Sequence, residues 1–362
     1  MKVDATIGGL AGATAQARRL ERRGYDGLWV GEMNQDPFLP LALAAEATDR
    51  IDLGTSIAVA FARSPMTLAY TAADLQQHSG GRMWLGLGSQ VKAHVVRRFS
   101  MPWGRPAPQM REYVLALRAI WAAWGDGSPL RFEGEYYRHT LMPRDFASPA
   151  TDLDPPRILV AGVGDAMTRV AGEVADGFLC HGFTTARWIR ERTLPALAAG
   201  RVRATAAPGG VTSGEAVPDG SVTSGFDIVA TPFVVTGSDQ QMAQEIPALR
   251  ERIAFYASTP SYRGLFELHG WEGLSEELTA LSKAGRWTEM SRLITDDILA
   301  EFAVIAAVHE VPERLAARFG GLLTRMSFRP AGLDPEAAAD LAADVRRRCT
   351  AAERDAAVGR PV

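Results

Sequence analysis

The sequence predicts a parallel α/β fold, a (β/α)8 TIM barrel with insertions. Short apolar runs that end in glycine or a small polar residue recur along the chain, for example at 83–87 and 157–160, and a helix-like segment follows each. Strands that alternate with helices form right-handed βαβ units and a parallel sheet. Eight predicted strands and a length of 362 residues suit a barrel of roughly 250 residues that carries insertions.

The first half of the chain supplies four of the predicted strands. Two of the helices between them begin at a capping residue followed by proline, at Asp36-Pro37 and Ser64-Pro65, and the second of these ends at Gly80-Gly81. The strands are predicted at 3–8, 25–30, 51–53 and 82–88, and the helices at 14–23, 37–47, 65–79 and 109–124.

The second half supplies the other four strands and three insertions. Asp165 is predicted to cap the helix that follows the fifth strand. One barrel domain is predicted at 1–330, followed by a C-terminal helix and tail at 331–362. The strands are predicted at 157–161, 177–181, 226–235 and 322–328, the helices at 165–175, 185–199, 239–256, 312–319 and 335–348, and the insertions near 125–156, 200–225 and 260–301.

Composition narrows the class of protein. A net charge of −3 gives no basic excess of the kind that nucleic-acid binding needs. No apolar stretch reaches about 20 residues and the first residues lack the pattern of a signal peptide, so we expect a cytoplasmic protein without a membrane segment. The two cysteines, Cys180 and Cys349, lie far apart and no metal-ligand spacing is present, which predicts no metal site.

Two loops after predicted strands have the composition of phosphate-binding turns. Gly88-Ser89-Gln90 and Ala161-Gly162-Val163-Gly164 place backbone N–H groups and a hydroxyl beside a helix start, which suits an anion. Neither loop completes the dinucleotide fingerprint, because Met167 stands where the last glycine belongs. The alternative is that these glycines serve only tight βα turns.

The chain resembles the bacterial luciferase-like monooxygenase family, and within it the branch of oxidoreductases that use the deazaflavin coenzyme F420. The resemblance spans residue 1 to about residue 328. It is carried, in order, by Gly24-Tyr25-Asp26-Gly27-Leu28-Trp29, Leu53-Gly54-Thr55-Ser56-Ile57, Gly80-Gly81-Arg82-Met83-Trp84-Leu85-Gly86-Leu87-Gly88-Ser89 and Ala171-Gly172-Glu173-Val174-Ala175-Asp176-Gly177.

The resemblance implies that the mouth of the barrel binds a deazaflavin or flavin. It also implies a non-proline cis peptide under the ring at the end of strand three, at Ser56-Ile57 or one residue to either side. Lys92, Arg97 and Arg98 offer positive charge where the acidic tail of F420, with its phosphodiester and glutamates, would emerge. The predicted cofactor-binding residues are Thr55, Ser56, Ile57, Gly88, Ser89, Gln90, Lys92, Ala161, Gly162, Val163 and Gly164.

Two ionisable residues end predicted strands near the implied ring position. Glu32 follows strand two and His181 ends strand six, so either could exchange a proton with the substrate as a hydride moves. The alternative for Glu32 is a pairing with an arginine or a role in holding a loop. The alternative for His181 is a packed core residue.

The predicted substrate site is apolar and aromatic. In the family's sugar-phosphate dehydrogenases a histidine follows the strand-two acid and a glutamate occupies the strand-four loop, whereas this chain has Met33 and Val91 there. The difference argues against a sugar-phosphate substrate. The predicted substrate-binding residues are Met33, Phe61 and Trp271, together with Arg105, which could hold a substrate carboxylate or be an ordinary surface arginine.

The sequence thus predicts an F420-dependent oxidoreductase that moves a hydride between C5 of the deazaflavin and a small, fairly apolar organic substrate. One alternative is an FMN-dependent monooxygenase that uses reduced flavin and O2. A second is a cofactor-binding barrel without catalysis, which departures from the family pattern at Gln90 and Val91 leave open. The resemblance also implies a homodimer formed through helices two and three, and a flavin or F420 reductase or dehydrogenase that supplies the reduced cofactor. The scarcity of lysine beside abundant arginine suggests a GC-rich genome such as an actinobacterial one.

Overall fold

A closed ring of eight parallel strands forms the centre of the computed structural model, which describes residues 1–149, 151–206, 225–330 and 333–358. The strands of the described residues are β1 (Lys2–Thr6), β2 (Gly27–Val30), β3 (Asp52–Thr55), β4 (Ala58–Val59), β5 (Met83–Gly88), β6 (Phe132–Glu133), β7 (Arg138–His139), β8 (Arg157–Gly162), β9 (Gly177–Cys180), β10 (Asp227–Ala230), β11 (Phe233–Val235), β12 (Ala303–Ile305) and β13 (Arg325–Ser327). The ring runs β1-β2-β3-β5-β8-β9-β10-β13 and returns to β1, which confirms the predicted TIM barrel.

Helices follow the barrel strands and cover the outside of the ring. Those of the described residues are α1 (Ala13–Arg22), α2 (Phe38–Ala47), α3 (Pro65–His78), α4 (Lys92–Arg97), α5 (Pro106–Asp126), α6 (Asp165–Val174), α7 (Ala186–Trp188), α8 (Leu194–Ala206), α9 (Asp239–Ala257), α10 (Arg263–Leu268), α11 (Glu272–Lys283), α12 (Trp287–Arg292), α13 (Asp296–Phe302), α14 (Val311–Phe319) and α15 (Pro335–Val358). A π-helical turn at Ile189–Thr193 joins α7 to α8.

The start of α3 is as predicted: Ser64 is the N-cap, and its hydroxyl accepts from the N–H of Thr67. The prediction for α2 is wrong by one residue, because Pro37 is the N-cap and Phe38 the first helical residue. Asp36 Oδ1 still accepts from the N–H of Phe38 at 2.8 Å. The prediction for Asp165 is wrong, because Gly164 is the N-cap and Asp165 is the first residue of α6. The Asp165 carboxylate instead pairs with Arg192 at 2.6 Å.

The prediction of one continuous seventh strand at 226–235 is wrong. β10 pairs with β9 and β13 inside the ring, whereas β11 leaves the ring and pairs in parallel with β12. Pro232 lies between the two segments, and proline has no N–H with which to continue a ladder. The split positions Thr231 and Pro232 at the rim of the barrel.

The prediction of a surface loop at 200–225 is wrong for its first residues, because α8 continues to Ala206. α8 packs closely on α6, since a Cβ at Gly200 would lie 2.1 Å from the carbonyl oxygen of Arg169. Only glycine permits that approach, and the contact holds the helix in place. Residues 207–224 of the predicted loop lie outside the described residues.

A buried ionic layer closes the amino end of the barrel. Arg325 on β13 donates through Nε and Nη2 to both carboxylate oxygens of Asp4 on β1, at 2.9 and 2.7 Å, and through Nη1 to Asp52 on β3 at 2.6 Å. The side chains of Arg325 and Asp4 are both 0% exposed. The Trp84 ring lies 4.7 Å from the guanidinium, and the Trp29 indole N–H donates to Asp4.

The ionic layer keeps Arg325 charged. Burial by itself lowers the pKa of this guanidinium, but the adjacent carboxylates of Asp4 and Asp52 raise the pKa above its ordinary value. A buried pair of this kind depends on both partners, since removing one leaves an uncompensated charge.

We expect the substitution Arg325→Met to lower the free energy of unfolding by about 3–5 kcal/mol, because Asp4 then stays buried without its cation. Urea unfolding followed by circular dichroism measures the change. Arg314→Met is the control, since Arg314 pairs with Glu310 at the surface and its loss should cost about 1 kcal/mol or less. Adding Asp4→Asn to Arg325→Met should recover part of the loss. A loss below about 1 kcal/mol for Arg325→Met would contradict the assignment.

Candidate functional site

The floor of the barrel mouth is apolar. Trp29, Trp84, Leu159, Leu179 and Val229 form a buried cluster inside the ring, and the half-buried Ile57 and Ala161 pack on its upper side. These two residues belong to the predicted cofactor set, and the structure brings them together on one surface. An apolar surface of this kind suits the face of a planar aromatic ring.

The third strand breaks at the edge of this floor. The Ser56-Ile57 peptide is cis, as the resemblance implied, and it separates β3 from β4. Ser56 is exposed at the mouth, whereas Thr55 is buried and its hydroxyl donates to the carbonyl of Gly86 at 2.7 Å. Of the predicted residues in this segment, Ser56 and Ile57 therefore present side chains to the mouth, and Thr55 holds two strands together.

The loop after β5 packs against the same segment. A Cβ at Gly88 would lie 2.8 Å from the Ile57 side chain, so glycine is needed for this approach. Gln90 has a φ of 57°, a conformation that costs non-glycine residues energy, and its side chain accepts from the N–H of Val91. Lys92 begins α4 and is exposed. The loop thus combines the half-buried Ser89 and Gln90 with the exposed cation of Lys92.

The loop after β8 opens directly onto a helix start. No side chain caps α6, and nothing lies within 4 Å of the place where a Cβ on Gly164 would be. The first N–H groups of α6 are thus not engaged by a side-chain cap, and a helix start of this kind suits a phosphate. The carboxylate of Asp165 lies in the first turn, and Arg192 neutralises it. Gly162, Val163 and Gly164 thus fit the phosphate group of a flavin or deazaflavin.

Glu32 is held by hydrogen bonds on the mouth side of β2. Its Oε2 accepts from the N–H of Val59 at 2.7 Å and from Arg63 Nη1 at 2.7 Å, and its side chain is 7% exposed. Arg63 also pairs with Asp36. The pairing with Arg63 is the alternative that the sequence left open for Glu32, and the bond to Val59 also links the end of β2 to β4.

His181 follows β9 and lies among aromatic rings. The N–H of Phe183 donates to His181 Nδ1 at 3.0 Å, which places the proton of the neutral imidazole on Nε2. The rings of Tyr256 and Tyr262 lie 4.9 and 5.2 Å away. Burial lowers the pKa of His181 to about 4, so the imidazole is neutral at pH 7. Burial also raises the pKa of the neighbouring Cys180 thiol to about 12.

The predicted substrate-binding residues do not form one site. Phe61 is buried edge-on against Trp103, and Met33 is 74% exposed. Arg105 is an exposed residue that pairs with Glu135 at 3.0 Å, and Trp271 stacks on His269 in the cluster formed by α9 to α13. The four residues were chosen by residue type and position in the chain, and neither determines which side chains the fold brings together.

A cavity of about 320 Å³ opens at the carboxyl ends of β1, β10 and β13. Phe233, Val234 and Phe328 contribute apolar walls. The polar lining consists of the hydroxyls of Thr6, Thr231 and Ser327, with Arg252, Arg329 and Glu245 at the edge. Sequence reasoning missed these residues, because none of them belongs to a recognisable motif. Two features of the sequence could have indicated the cavity: the end of the last strand, β13, and the proline at position 232 that interrupts the seventh strand.

No group of three or more His, Cys, Asp or Glu side chains in the described ranges is arranged to hold a metal ion. No described helix combines the length and the apolar character needed to cross a membrane.

Comparison with known proteins identifies similar chains. The family model described as luciferase-like monooxygenase matches residues 2–325. An uncharacterized protein of Mycobacterium tuberculosis is 46% identical over 328 residues, which cover 90% of this chain and 92% of that protein. The F420-dependent glucose-6-phosphate dehydrogenase of Beutenbergia cavernae is 31% identical over 205 residues, 51% of this chain and 56% of that protein.

A solved structure shows the same fold. The coenzyme F420-dependent tetrahydromethanopterin reductase of Methanopyrus kandleri superposes with a TM-score of 0.71 and 20% identity, over 96% of this chain and 99% of that one. The ring of eight strands and its outer helices are therefore a known architecture.

We expect the imidazole of His181 to titrate with a midpoint near pH 4 in the folded protein, because its burial penalises the charged form. NMR chemical shifts of the imidazole measure the midpoint. The unfolded chain takes up this proton near pH 6.5, so the free energy of unfolding should fall between pH 6.5 and 4 by up to about 3 kcal/mol more than in His181→Gln. A midpoint near 6.5 in the folded protein would overturn the assignment of a buried neutral ring.

Proposed function

Because the chain belongs to the luciferase-like monooxygenase family, we propose that it is an oxidoreductase that binds coenzyme F420 at the barrel mouth. Its reaction is the transfer of a hydride between the cofactor and a small, fairly apolar organic molecule. F420, when bound, supplies a carbon centre, C5, that carries the hydride.

The observation that carries the proposal is the apolar floor beside an uncapped helix start. Ile57 and Ala161 offer a surface for a planar ring, and the open space at Gly164 lets an anion approach the first N–H groups of α6. One cofactor with a flat ring and a phosphate satisfies both features at once.

The choice of F420 over FMN draws on relatives and on charge. The names of similar proteins from Beutenbergia cavernae and Methanopyrus kandleri include F420, and the exposed Lys92 adds positive charge beside the β5 loop. The family's description as monooxygenases favours a second candidate, an FMN-dependent monooxygenase that uses reduced flavin and O2. The floor and the phosphate site suit both ring systems.

The substrate binds in the cavity at the ends of β1, β10 and β13. Its volume of about 320 Å³ is at the lower end of the range for small-molecule sites, which favours a small ligand. The apolar walls of Phe233 and Phe328 would contact the ligand body, and the hydroxyls of Thr231 and Ser327 would orient a polar group. The exposed Met33 and Val91 offer no polar contact for a sugar phosphate.

His181 is the residue that would hold the polar group of the substrate beside the cofactor. Its Nε2 carries a proton and its Nδ1 is fixed by Phe183, so the neutral ring can donate a hydrogen bond to an oxygen at the reacting carbon. The proton that accompanies the hydride would come from solvent, because a neutral imidazole does not release its remaining N–H proton at pH 7. Glu32 acts as a positioning residue, because Arg63 and the N–H of Val59 already engage its carboxylate.

The proposed function is tested by titration of the purified protein with F420 and, separately, with FMN, followed by fluorescence quenching. We expect tight binding of F420 and at least tenfold weaker binding by Gly164→Leu, because the leucine fills the space in front of α6. Gly164 has a φ of −95°, so leucine causes no backbone strain there.

Gly125→Leu is the matched control, since a Cβ at Gly125 also meets nothing within 4 Å but lies in α5, near its C-terminal end. It should bind F420 as the unchanged protein does. Binding of FMN alone would replace the proposal by the monooxygenase. Binding of neither cofactor, or of F420 without redox activity on a broad substrate panel, would favour the barrel without catalysis.

The partners of this reaction are a second copy of the chain and a reductase or dehydrogenase that supplies reduced cofactor. α2 is apolar on both of its faces: it buries Phe38 and Leu41, yet leaves Leu39 57% exposed and Leu43 39% exposed. A helix that is apolar all round is normally buried, so this face needs a cover, and a homodimer through α2 and α3 provides one.

We expect Leu39→Glu combined with Leu43→Glu to convert a dimer into a monomer, because two carboxylates cannot be buried unpaired in an apolar interface. Light scattering after size-exclusion chromatography measures the mass. Leu141→Glu is the control, since Leu141 is 76% exposed and lies outside α2 and α3. A monomeric unchanged protein, or a dimeric double variant, would contradict the interface.

A further inference from the structure

A groove on the outer wall of the barrel is lined by arginines. It lies between α5, α6 and α8 and has a volume of about 510 Å³. Its lining consists of Ala107, Pro108, Arg111, Ala166, Arg169, Val170, Glu173 and Arg203.

The groove has an excess of positive charge. Arg111 pairs with Glu173 at 2.8 Å, and Glu173 is the only carboxylate in the lining. Arg169 and Arg203 have no carboxylate partner among the described residues. The groove therefore offers two uncompensated guanidinium groups to an anionic ligand, and a guanidinium is well suited to bind carboxylates.

The groove begins at the proposed phosphate site. Helices that follow parallel strands start on the mouth side of the barrel, so the first turns of α5 and α6 lie there. Ala107 and Ala166 belong to those turns, and Ala166 is two residues beyond Gly164. From Ala166 to Glu173 the lining of α6 extends seven residues, about 10 Å down the helix.

We propose that this groove, in place of the Lys92, Arg97 and Arg98 side chains to which the sequence pattern assigned it, binds the glutamyl tail of F420, an inference that rests on the proposed function. The tail is a chain of carboxylates that continues from the cofactor's phosphodiester, and two or three extended residues span about 10 Å. A phosphate at the start of α6 would deliver the tail to Ala166, from which it passes Arg169 and Arg203. FMN ends at its phosphate and leaves the groove empty.

The test compares deazaflavins that differ only in the tail. Dissociation constants are measured by fluorescence quenching at low ionic strength for F420 with several glutamates, for the same molecule without glutamates, and for the deazaflavin without phosphate or tail. We expect the glutamylated form to bind about tenfold more tightly than the form without glutamates. Added salt should reduce this difference, because the groove is exposed to solvent.

Variants of the groove should change the tail's contribution and nothing else. Arg169→Ala with Arg203→Ala should bind both forms equally, at the affinity of the form without glutamates, and the corresponding lysine pair should keep part of the preference. Glu173→Gln should strengthen the preference, since it removes the carboxylate of the lining and releases Arg111. Arg22→Ala is the control, because Arg22 is an exposed arginine at the end of α1 and should leave both affinities unchanged.

The outcomes separate this inference from the proposed function. Tight binding that is independent of glutamate number overturns the groove assignment and leaves the function intact. An equal loss of affinity for both forms in the double alanine variant also overturns it, since it indicates structural damage. Absence of binding by every deazaflavin overturns both.

Discussion

The contact between Arg325 and Asp4 is the constraint on which the barrel depends, because it joins the last strand to the first. A parallel barrel closes only when β13 meets β1, and those strands are separated by more than 300 residues of chain. The two hydrogen bonds from Arg325 to Asp4 hold these strands together, and the bond from Arg325 to Asp52 connects them to β3. Since both charges are buried beside Trp84, side chains fill the amino end of the barrel, and the candidate site lies at the carboxyl end.

The sequence predicted the elements well where local chemistry determines them. Capping at Asp36 and Ser64 and the alternation of apolar runs with helices depend on neighbours in the chain, so they can be read directly. The errors arose where distant contacts decide. Pro232 ends one strand and sends the next to pair with β12, and the contact of Gly200 with α6 keeps a glycine-containing segment helical. The local sequence does not identify β12 as the partner of β11, nor α6 as the partner of Gly200.

The residues of the candidate site also fall into those that the sequence predicts and those that only distant contacts determine. Residues at strand ends, such as Ile57, Ala161 and Gly164, were predictable because carboxyl ends of parallel strands must meet. The state of His181 was not, because its neutral tautomer depends on Phe183 and on rings from α9 and the turn after it. The arginine groove was also invisible, since Arg111, Arg169 and Arg203 come from three helices and share no spacing.

The circular order of strands places the proposed cofactor site and the proposed substrate site in separate sectors of the mouth. The loops proposed for phosphate follow β5 and β8, and the cavity opens at β10, β13 and β1, roughly across the ring. In the proposed function, a cofactor held at the start of α6 would have its ring beside Ile57 on the side of the cavity, and its tail on the other side, between α5 and α8. Hydride transfer needs the ring beside the substrate, whereas the anionic tail needs solvent and arginines. The proposed arrangement satisfies both requirements, because β5 and β8 lie roughly opposite β13 and β1 in the ring.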